Sequence, residues 1–553
     1  MLLSEEQREI VDNAEGHFLV RACPGSGKTY TIAAKSAKDI RQWERKRQGL
    51  AVISFTNVAQ EKVLDDIENI AEVAVGYPHF VGTIDSFINQ FIFFPYIYLL
   101  GFDPEAVQMI GEPFQSSEGW YLKKRCALAL RYDEAGELFL PTGHAYELGA
   151  VKELGIAQKA ADINNSKFTQ SDAVFYSLQI LELYPEVADI VSARFPWLYV
   201  DEAQDTTPTH WKIIELLSTS KENERFGVIG DPDQSIYAWN GAKPELFLSH
   251  QKALEDAGKQ VFYLMESHRS SQVICDFYAP YSNLPGTPKA VNKDVSSIAT
   301  KPQIQGCKNN RDVLKAARDF GGKLPKGDTY KIVCQSHSFI ADILASEQEL
   351  PANDKIPIAG DNINVFNLMH AKYDFDRGNY NSALLRAENV LFNILRTFDR
   401  EAILSEKNLT MREWYTFIEE ELEILPECHL SVADWCAGAK VQLNKNSPFQ
   451  TLKFEPKRKN RGVEYASFVV MSYFTDADAA EAPQLIHTVH SVKGGTFDHI
   501  LVVLGADQSR RLVKGIEGKT ITDTEDKRKL YVAITRARKT LTILIPEDQL
   551  AKI

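Results

Sequence analysis

The chain has 553 residues, 44% of them hydrophobic and 25% charged, with a formal net charge of −13. That length implies roughly three to four domains, and the composition is that of a globular protein able to bury several cores. So acidic a charge weakens any claim of bulk, non-specific DNA coating, although a local basic groove stays compatible with it.

No apolar run reaches the roughly 18 residues of a membrane span. The opening MLLSEEQREI is acidic and lacks an apolar leader core, so the expected location is cytoplasmic. Seven cysteines are scattered without a C-x-x-C pair. This argues against a disulfide frame, a zinc ribbon or an iron–sulfur cluster, and for reduced, mostly buried thiols.

In chain order, apolar runs rich in Val, Ile and Leu alternate with helical stretches: HFLVRAC, LAVISFT, WLYVDEA and RFGVIGD, then KIVCQS, SFVVMSYF, LIHTVHS, HILVVLG and TLTILIP. Continuous apolar runs suit strands covered on both faces. Their alternation with helices predicts two parallel α/β sheets. The stretches from about Phe94 to Phe195 and from about Pro351 to Lys459 read as largely helical insertions. The basic KFEPKRKNRGVEY, from Lys453, reads as a linker or loop. No internal repeat stands out.

The strongest local signal is ACPGSGKT, Ala22 to Thr29, between an apolar strand and the helix-forming TIAAKSAKDI. In a P-loop, backbone N–H groups of such a turn cradle phosphates at a helix N-terminus. Gly25 and Gly27 permit the backbone angles, and Ser26 lies between them. Lys28 is placed to reach the β- and γ-phosphates of ATP, and Thr29 to ligate Mg2+. Ala22 replaces the usual leading Gly. A chance glycine-rich turn is the competing reading. WLYVDEAQD supplies the acidic strand end that a P-loop needs: Asp201 for the metal and Glu202 to polarise the attacking water. A solvated acidic turn is the alternative there.

DEAQD after this P-loop resembles the UvrD/Rep/PcrA group of superfamily 1 DNA helicases. The resemblance continues in family order. LSEEQREIV looks like the Q motif, AVISFTNVA like motif Ia and FVGTIDSF like motif Ib. GDPDQSIYAWNGA looks like motif III, SHRSS like motif IV, IHTVHSVKGGTFD like motif V and EDKRKLYVAITRAR like motif VI. It implies two RecA-like lobes, over 1–95 with 196–265 and over 266–350 with 460–553. Helical insertions would cover 96–195 and, in reduced form, 351–459.

The same resemblance implies roles. Gln7 would read adenine and Gln234 would sense the γ-phosphate. Arg269 and Arg536, from the second lobe, would clamp phosphates with guanidinium forks. Gly494 would border the nucleotide. Phe55, Tyr237 and Trp239 would stack bases. Thr56, Asn57, Thr83 and His490 would bond phosphates or sugars. Core packing is the competing reading for any lone aromatic.

Four positions depart from the family pattern. Tyr30 follows the P-loop Thr where Arg is usual, and His268 precedes the motif IV Arg where Tyr is usual. In relatives those two side chains sandwich adenine, so Tyr30 and His268 are expected to form a replacement aromatic clamp. Asn240 stands where motif III has a DNA-contacting Arg, and Thr496 where motif V has Glu. Both touch coupling to DNA more than hydrolysis.

The compact plan is similar to the helicase-like subunit of Gabija antiphage systems, which is paired with an OLD-family nuclease. The expected activity is an ATP-dependent, single-stranded-DNA translocase or helicase, 3′ to 5′ by resemblance, in DNA repair or antiphage defence. The alternative is a DNA-gated ATPase switch that activates a partner nuclease. Residue chemistry alone leaves RNA open as a track, because stacking is blind to the sugar; the resemblance favours DNA.

Overall fold

The computed structural model describes residues 3–71, 74–110, 127, 129–140, 149–336, 339–340, 343, 358–359, 362–395, 400–443, 445–457, 470, 485–522, 524–550 and 552. Its frame is two wholly parallel sheets. The first contains β1 (His17–Ala22), β2 (Leu50–Ser54), β3 (Phe80–Thr83), β4 (Trp197–Asp201), β5 (Arg225–Gly230) and β6 (Gln260–Leu264), in the order β6-β1-β5-β4-β2-β3. The second contains β7 (Gln303–Cys307), β8 (Tyr330–Cys334), β9 (His487–Thr488), β10 (Phe497–Val503) and β11 (Ala537–Pro546), in the order β7-β11-β10-β8-β9.

The central strands are predominantly apolar because both faces of each sheet are covered. Along the first sheet, Leu19, Ile53, Val200 and Val228 enter one core, while Phe18, Val20, Val52 and Tyr199 enter another on the opposite face. The second sheet divides in the same way: Val333, Ile500 and Val502 face one core, and Ile332, Leu501 and Val503 the other. Period-2 side-chain alternation produces this division.

Two helical sets accompany the sheets. Gly149–Asn164, Gln170–Leu183 and Pro185–Arg194 belong to the first. Its Leu178 and Val187 join the core under the first sheet. Short strands also occur there, and Arg131–Tyr132 pairs antiparallel with Leu138–Phe139. The second set runs from Ile363–Asp376 to Val432–Gln442 and packs its own core around Leu368, Trp414 and Trp435.

SFVVMSYF does not extend the second sheet in the described residues. Val470, its one described residue, donates its N–H to Leu430 O at 2.9 Å and packs into the helical core. LIHTVHS yields a strand only at His487–Thr488, because a 3-10 turn begins at His490. The basic stretch from Lys453 lies outside the described residues beyond Lys457. Among the described cysteines, five are buried, Cys307 is half-buried and none is bridged. No described helix is long and apolar enough to cross a membrane.

Candidate nucleotide and nucleic-acid sites

The P-loop forms because β1 ends at Ala22 and the chain must turn sharply before α1 (Lys28–Arg41). Gly25 and Gly27 both take left-handed angles, with φ of 76° and 78°. Space demands glycine as well. A Cβ at Gly25 would lie 2.4 Å from Arg269 Cβ, and one at Gly27 2.7 Å from Gln7 Nε2.

Gln7 is fixed twice. Its side chain completes a capping box with Ser4, and Nε2 donates to Ser26 O at 2.9 Å. It therefore buttresses the phosphate turn, and its second N–H and second lone pair stay available for an adenine edge.

The acidic pair stands where β4 ends. Thr29 Oγ1 donates to Asp201 Oδ2 at 3.1 Å, and Lys28 Nζ lies 3.9 Å from Glu202 Oε1. Glu202 takes a left-handed φ of 51°, an uncommon conformation for a side-chain-bearing residue and one that costs on the order of 1 kcal/mol. The surrounding structure holds the carboxylate there against that cost. Burial, reinforced by Glu202, pushes the Asp201 carboxyl up, and Lys28 only partly offsets this. Burial also acts on Glu202, but Lys28, Lys493, the bond from Gln204 and Arg536 together hold it below the usual range. The pair is thus split into one carboxyl that would readily exchange its proton for a cation and one that stays ionised.

Across from this pair stand groups of the second sheet's lobe. Arg536, only 1% exposed, donates Nη2 to Gln234 Oε1 at 2.7 Å and Nε to Val532 O at 3.0 Å. Gln234 Nε2 in turn donates to Asp231 Oδ2 at 2.5 Å. Arg269 Nη1 donates to Thr535 O at 3.0 Å, while its Nε is buried without a partner. Burial, and then the neighbouring Arg269, push Arg536 far down. His268 N–H donates to Gly25 O at 2.9 Å, so motif IV touches the P-loop directly. Tyr30 lies in the first turn of α1, beside Thr29. Gly494, at φ 81°, leads into Gly495, whose carbonyl accepts from Arg536 Nη1 at 3.5 Å.

This donor set fits a magnesium–nucleotide. The glycine turn leaves no room for a Cβ, Ser26 Oγ and Arg269 Nε are buried without partners, and the guanidiniums of buried Arg536 and half-buried Arg269 repel one another, which favours added negative charge. A polyphosphate supplies that charge, and the hydroxyl–carboxylate pair of Thr29 and Asp201 suits a hard cation.

The expected nucleic-acid residues gather at the same end of the first sheet. Ser54 is in register with Asp201 on one side and Thr83 on the other, so Phe55, Thr56 and Asn57 follow at that edge. Thr56 Oγ1 accepts from Ala59 N and Thr83 Oγ1 from Ser86 N, so both hydroxyls cap the helices that follow. Asn57 is exposed.

The aromatics form a row. Tyr237 lies 5.8 Å from Phe55, 6.3 Å from Trp239 and 6.0 Å from His490, between ring centroids. Trp239 is 50% exposed, which leaves a face for a base. His490 Nε2 lies 2.9 Å from Ile236 O and ties motif V to motif III.

Sequence reading missed how heavily the lobes are cross-linked. Lys493 Nζ pairs with Asp205 Oδ2 at 2.5 Å and lies 4.4 Å from the Tyr237 ring centre. Asn283 donates its backbone N and Nδ2 to Asp233, each at 2.8 Å, and accepts from Arg21 Nη2 at 2.7 Å through its carbonyl. Lys493 and Asp205 lie inside matched motifs, which was a usable signal; Asn283 lies in none.

Residues 3–105 and 146–255 match the model for the UvrD/REP helicase N-terminal domain, and residues 473–547 the model for the UvrD-like helicase C-terminal domain. The chain is similar to the ATP-dependent DNA helicase PcrA of Leuconostoc citreum, at 24% identity over 297 residues, covering 50% of this chain and 38% of the relative. It is also similar to PcrA of Staphylococcus aureus strain Mu50, at 25% over 297 residues, covering 49% and 38%. The matched part thus spans less than two-fifths of each relative's length. With both sheets, the P-loop and the two matched regions in place, the chain belongs to the UvrD-like helicase family.

Proposed function

We propose that the protein is an ATP-driven motor on single-stranded DNA. The observation that carries this reading is the Gln234–Tyr237 segment. Gln234 bonds Arg536 at the phosphate end, and three residues on Tyr237 enters the aromatic row. A change at the phosphates therefore displaces the track residues through one short turn.

Lys28 would draw the terminal phosphates against the P-loop amides. Glu202, kept ionised, would accept the proton of the attacking water. Gln234 would orient that water, and Arg269 and Arg536 would stabilise charge on the phosphate oxygens. Thr29 and Asp201 would hold magnesium, which when bound would neutralise negative charge on the phosphates. Because the guanidiniums come from the opposite lobe, hydrolysis requires closure, and product release permits reopening. Phe55, Tyr237 and Trp239 would grip successive bases, with Thr56, Asn57, Thr83 and His490 toward the backbone. Movement would run 3′ to 5′, as in the family, in the cytoplasm, serving DNA repair or antiphage defence.

A second reading is a DNA-gated ATPase that activates an OLD-family nuclease with little unwinding. Asn240 and Thr496, in place of the family's Arg and Glu, favour it. ATPase and strand-displacement assays on tailed duplexes, with and without candidate nucleases, separate the two. DNA-stimulated hydrolysis with displacement supports the motor, and stimulation without displacement supports the switch. Turnover by a Lys28→Ala variant, or the absence of any DNA stimulation, would reject both.

A further inference from the structure

Motif III is held by a side chain from the first helical insertion. Arg131 donates Nη1 to Asn240 O at 3.0 Å. Asn240 is the residue that stands where the family has its DNA-contacting Arg. The contact therefore brings a guanidinium to the backbone of the position that lacks one.

The Arg131 guanidinium is under-neutralised. Among the described residues its guanidinium forms no ion pair; Nη1 bonds the Asn240 carbonyl, and Nε is buried without a partner. A half-buried guanidinium with one neutral acceptor calls for an anion.

Its support is tied at several points. Tyr132 stacks on Phe175 with ring centroids 4.3 Å apart and planes at 17°. Asp133 Oδ1 closes the hairpin by accepting from Ala135 N and Glu137 N at 2.9 and 2.8 Å. Lys159, paired with Asp172 at 2.6 Å, donates to Leu130 O at 2.7 Å.

Between this hairpin and the Ala238–Lys243 turn lies a cleft of about 520 Å³. Arg131, Lys243 and Asn240 line it, with Phe139 as an exposed apolar wall. Asp133 and Glu134 also border it, the first with one oxygen occupied by the turn and the second exposed.

We propose that Arg131 makes the DNA-backbone contact that Asn240 cannot make. The strand leaving Trp239 passes through this cleft, and one of its phosphates sits on the Arg131 guanidinium. The inference rests on the single-strand reading of the aromatic row. The charge then rides on the helical insertion instead of on motif III, so grip depends on where the insertion sits.

The test is anisotropy of a labelled oligo-dT across a salt series, with the full chain. Arg131→Gln is expected to weaken binding roughly fivefold to tenfold and to flatten the slope of log K against log salt by about 0.7, the value of one phosphate contact on a single strand. Asn240→Arg added to Arg131→Gln restores the slope. Arg131→Lys, which keeps the charge should Arg131→Gln fold poorly, retains it. A wild-type slope in Arg131→Gln, or a flattened one in Arg131→Lys, overturns the proposal whatever the affinity. If Trp239→Ala weakens binding while Arg131→Gln does not, Arg131 alone is misassigned. If the wild type does not bind the oligonucleotide, the single-strand reading falls and this proposal with it.

Discussion

Arg536 reaches across from the second lobe to donate Nη2 to Gln234 Oε1 at 2.7 Å, and Gln234 passes the contact on to Asp231. One guanidinium thus holds Gln234, the residue proposed to orient the attacking water, while its own helix turn is anchored at Val532 O. The proposed hydrolysis needs that guanidinium for charge on the phosphates as well as for lobe contact.

Arg536→Ala is therefore expected to lower kcat for DNA-stimulated ATP hydrolysis on the order of 10³-fold, the scale of an arginine finger. Arg536→Lys should not rescue it, because one ammonium cannot reproduce a planar fork bonded to Val532, Gly495 and Gln234 together. Phosphate release at saturating single-stranded DNA measures both. Activity within tenfold of wild type would leave Arg536 as a lobe-to-lobe tie and no more.

Tyr30 and His268 give a second expectation. His268 is fixed to the P-loop through its N–H, burial lowers its imidazole pKa, and Nε2 is buried without a partner. A neutral ring beside the nucleotide site suits stacking on adenine. Two aromatic contacts of about 0.5–1.5 kcal/mol each predict that Tyr30→Ala with His268→Ala raises KM for ATP roughly tenfold. Inhibition by inorganic tripolyphosphate, which has no base, should be unchanged. An unaltered KM removes the clamp.

Legibility in the sequence followed burial. β1, β2, β4, β5 and β10 are apolar on both faces and could be read directly, since no polar period interrupts them. β7 (QIQGC) and β6 (QVFYL) lie at sheet edges, carry polar or half-exposed positions, and gave no comparable run. β3 was legible only as a motif, being four residues long at the opposite edge. The P-loop residues were legible because local backbone geometry dictates them. The pairings Lys493–Asp205, Arg131–Asn240 and Asn283–Asp233 were not, because each joins segments far apart in the chain and depends on how the lobes and insertion dock.

Asp205 carries the last prediction, which concerns pH. Its side chain is 2% exposed and paired with Lys493. Burial pushes its carboxyl from the usual 3.8 up to about 6, although Lys493 pulls it down. The folded chain therefore holds this proton more tightly than the unfolded chain. The stabilising contribution is complete below pH 4 and is lost as pH rises through 6; above that it stays level. The gap corresponds to about 3 kcal/mol.

Asp205→Asn cannot titrate, so the stability difference between wild type and variant should shift against the wild type between pH 4 and 6 and be flat from pH 7 to 8. Denaturant unfolding of the nucleotide-free protein across that range reads the difference directly, and the constant offset from leaving Lys493 unpaired drops out of the slope. Parallel curves from pH 4 to 8 would mean that the Lys493–Asp205 pair stays ionised throughout. The contact between motif V and the DEAQD segment would then be a fixed strut, indifferent to the proton.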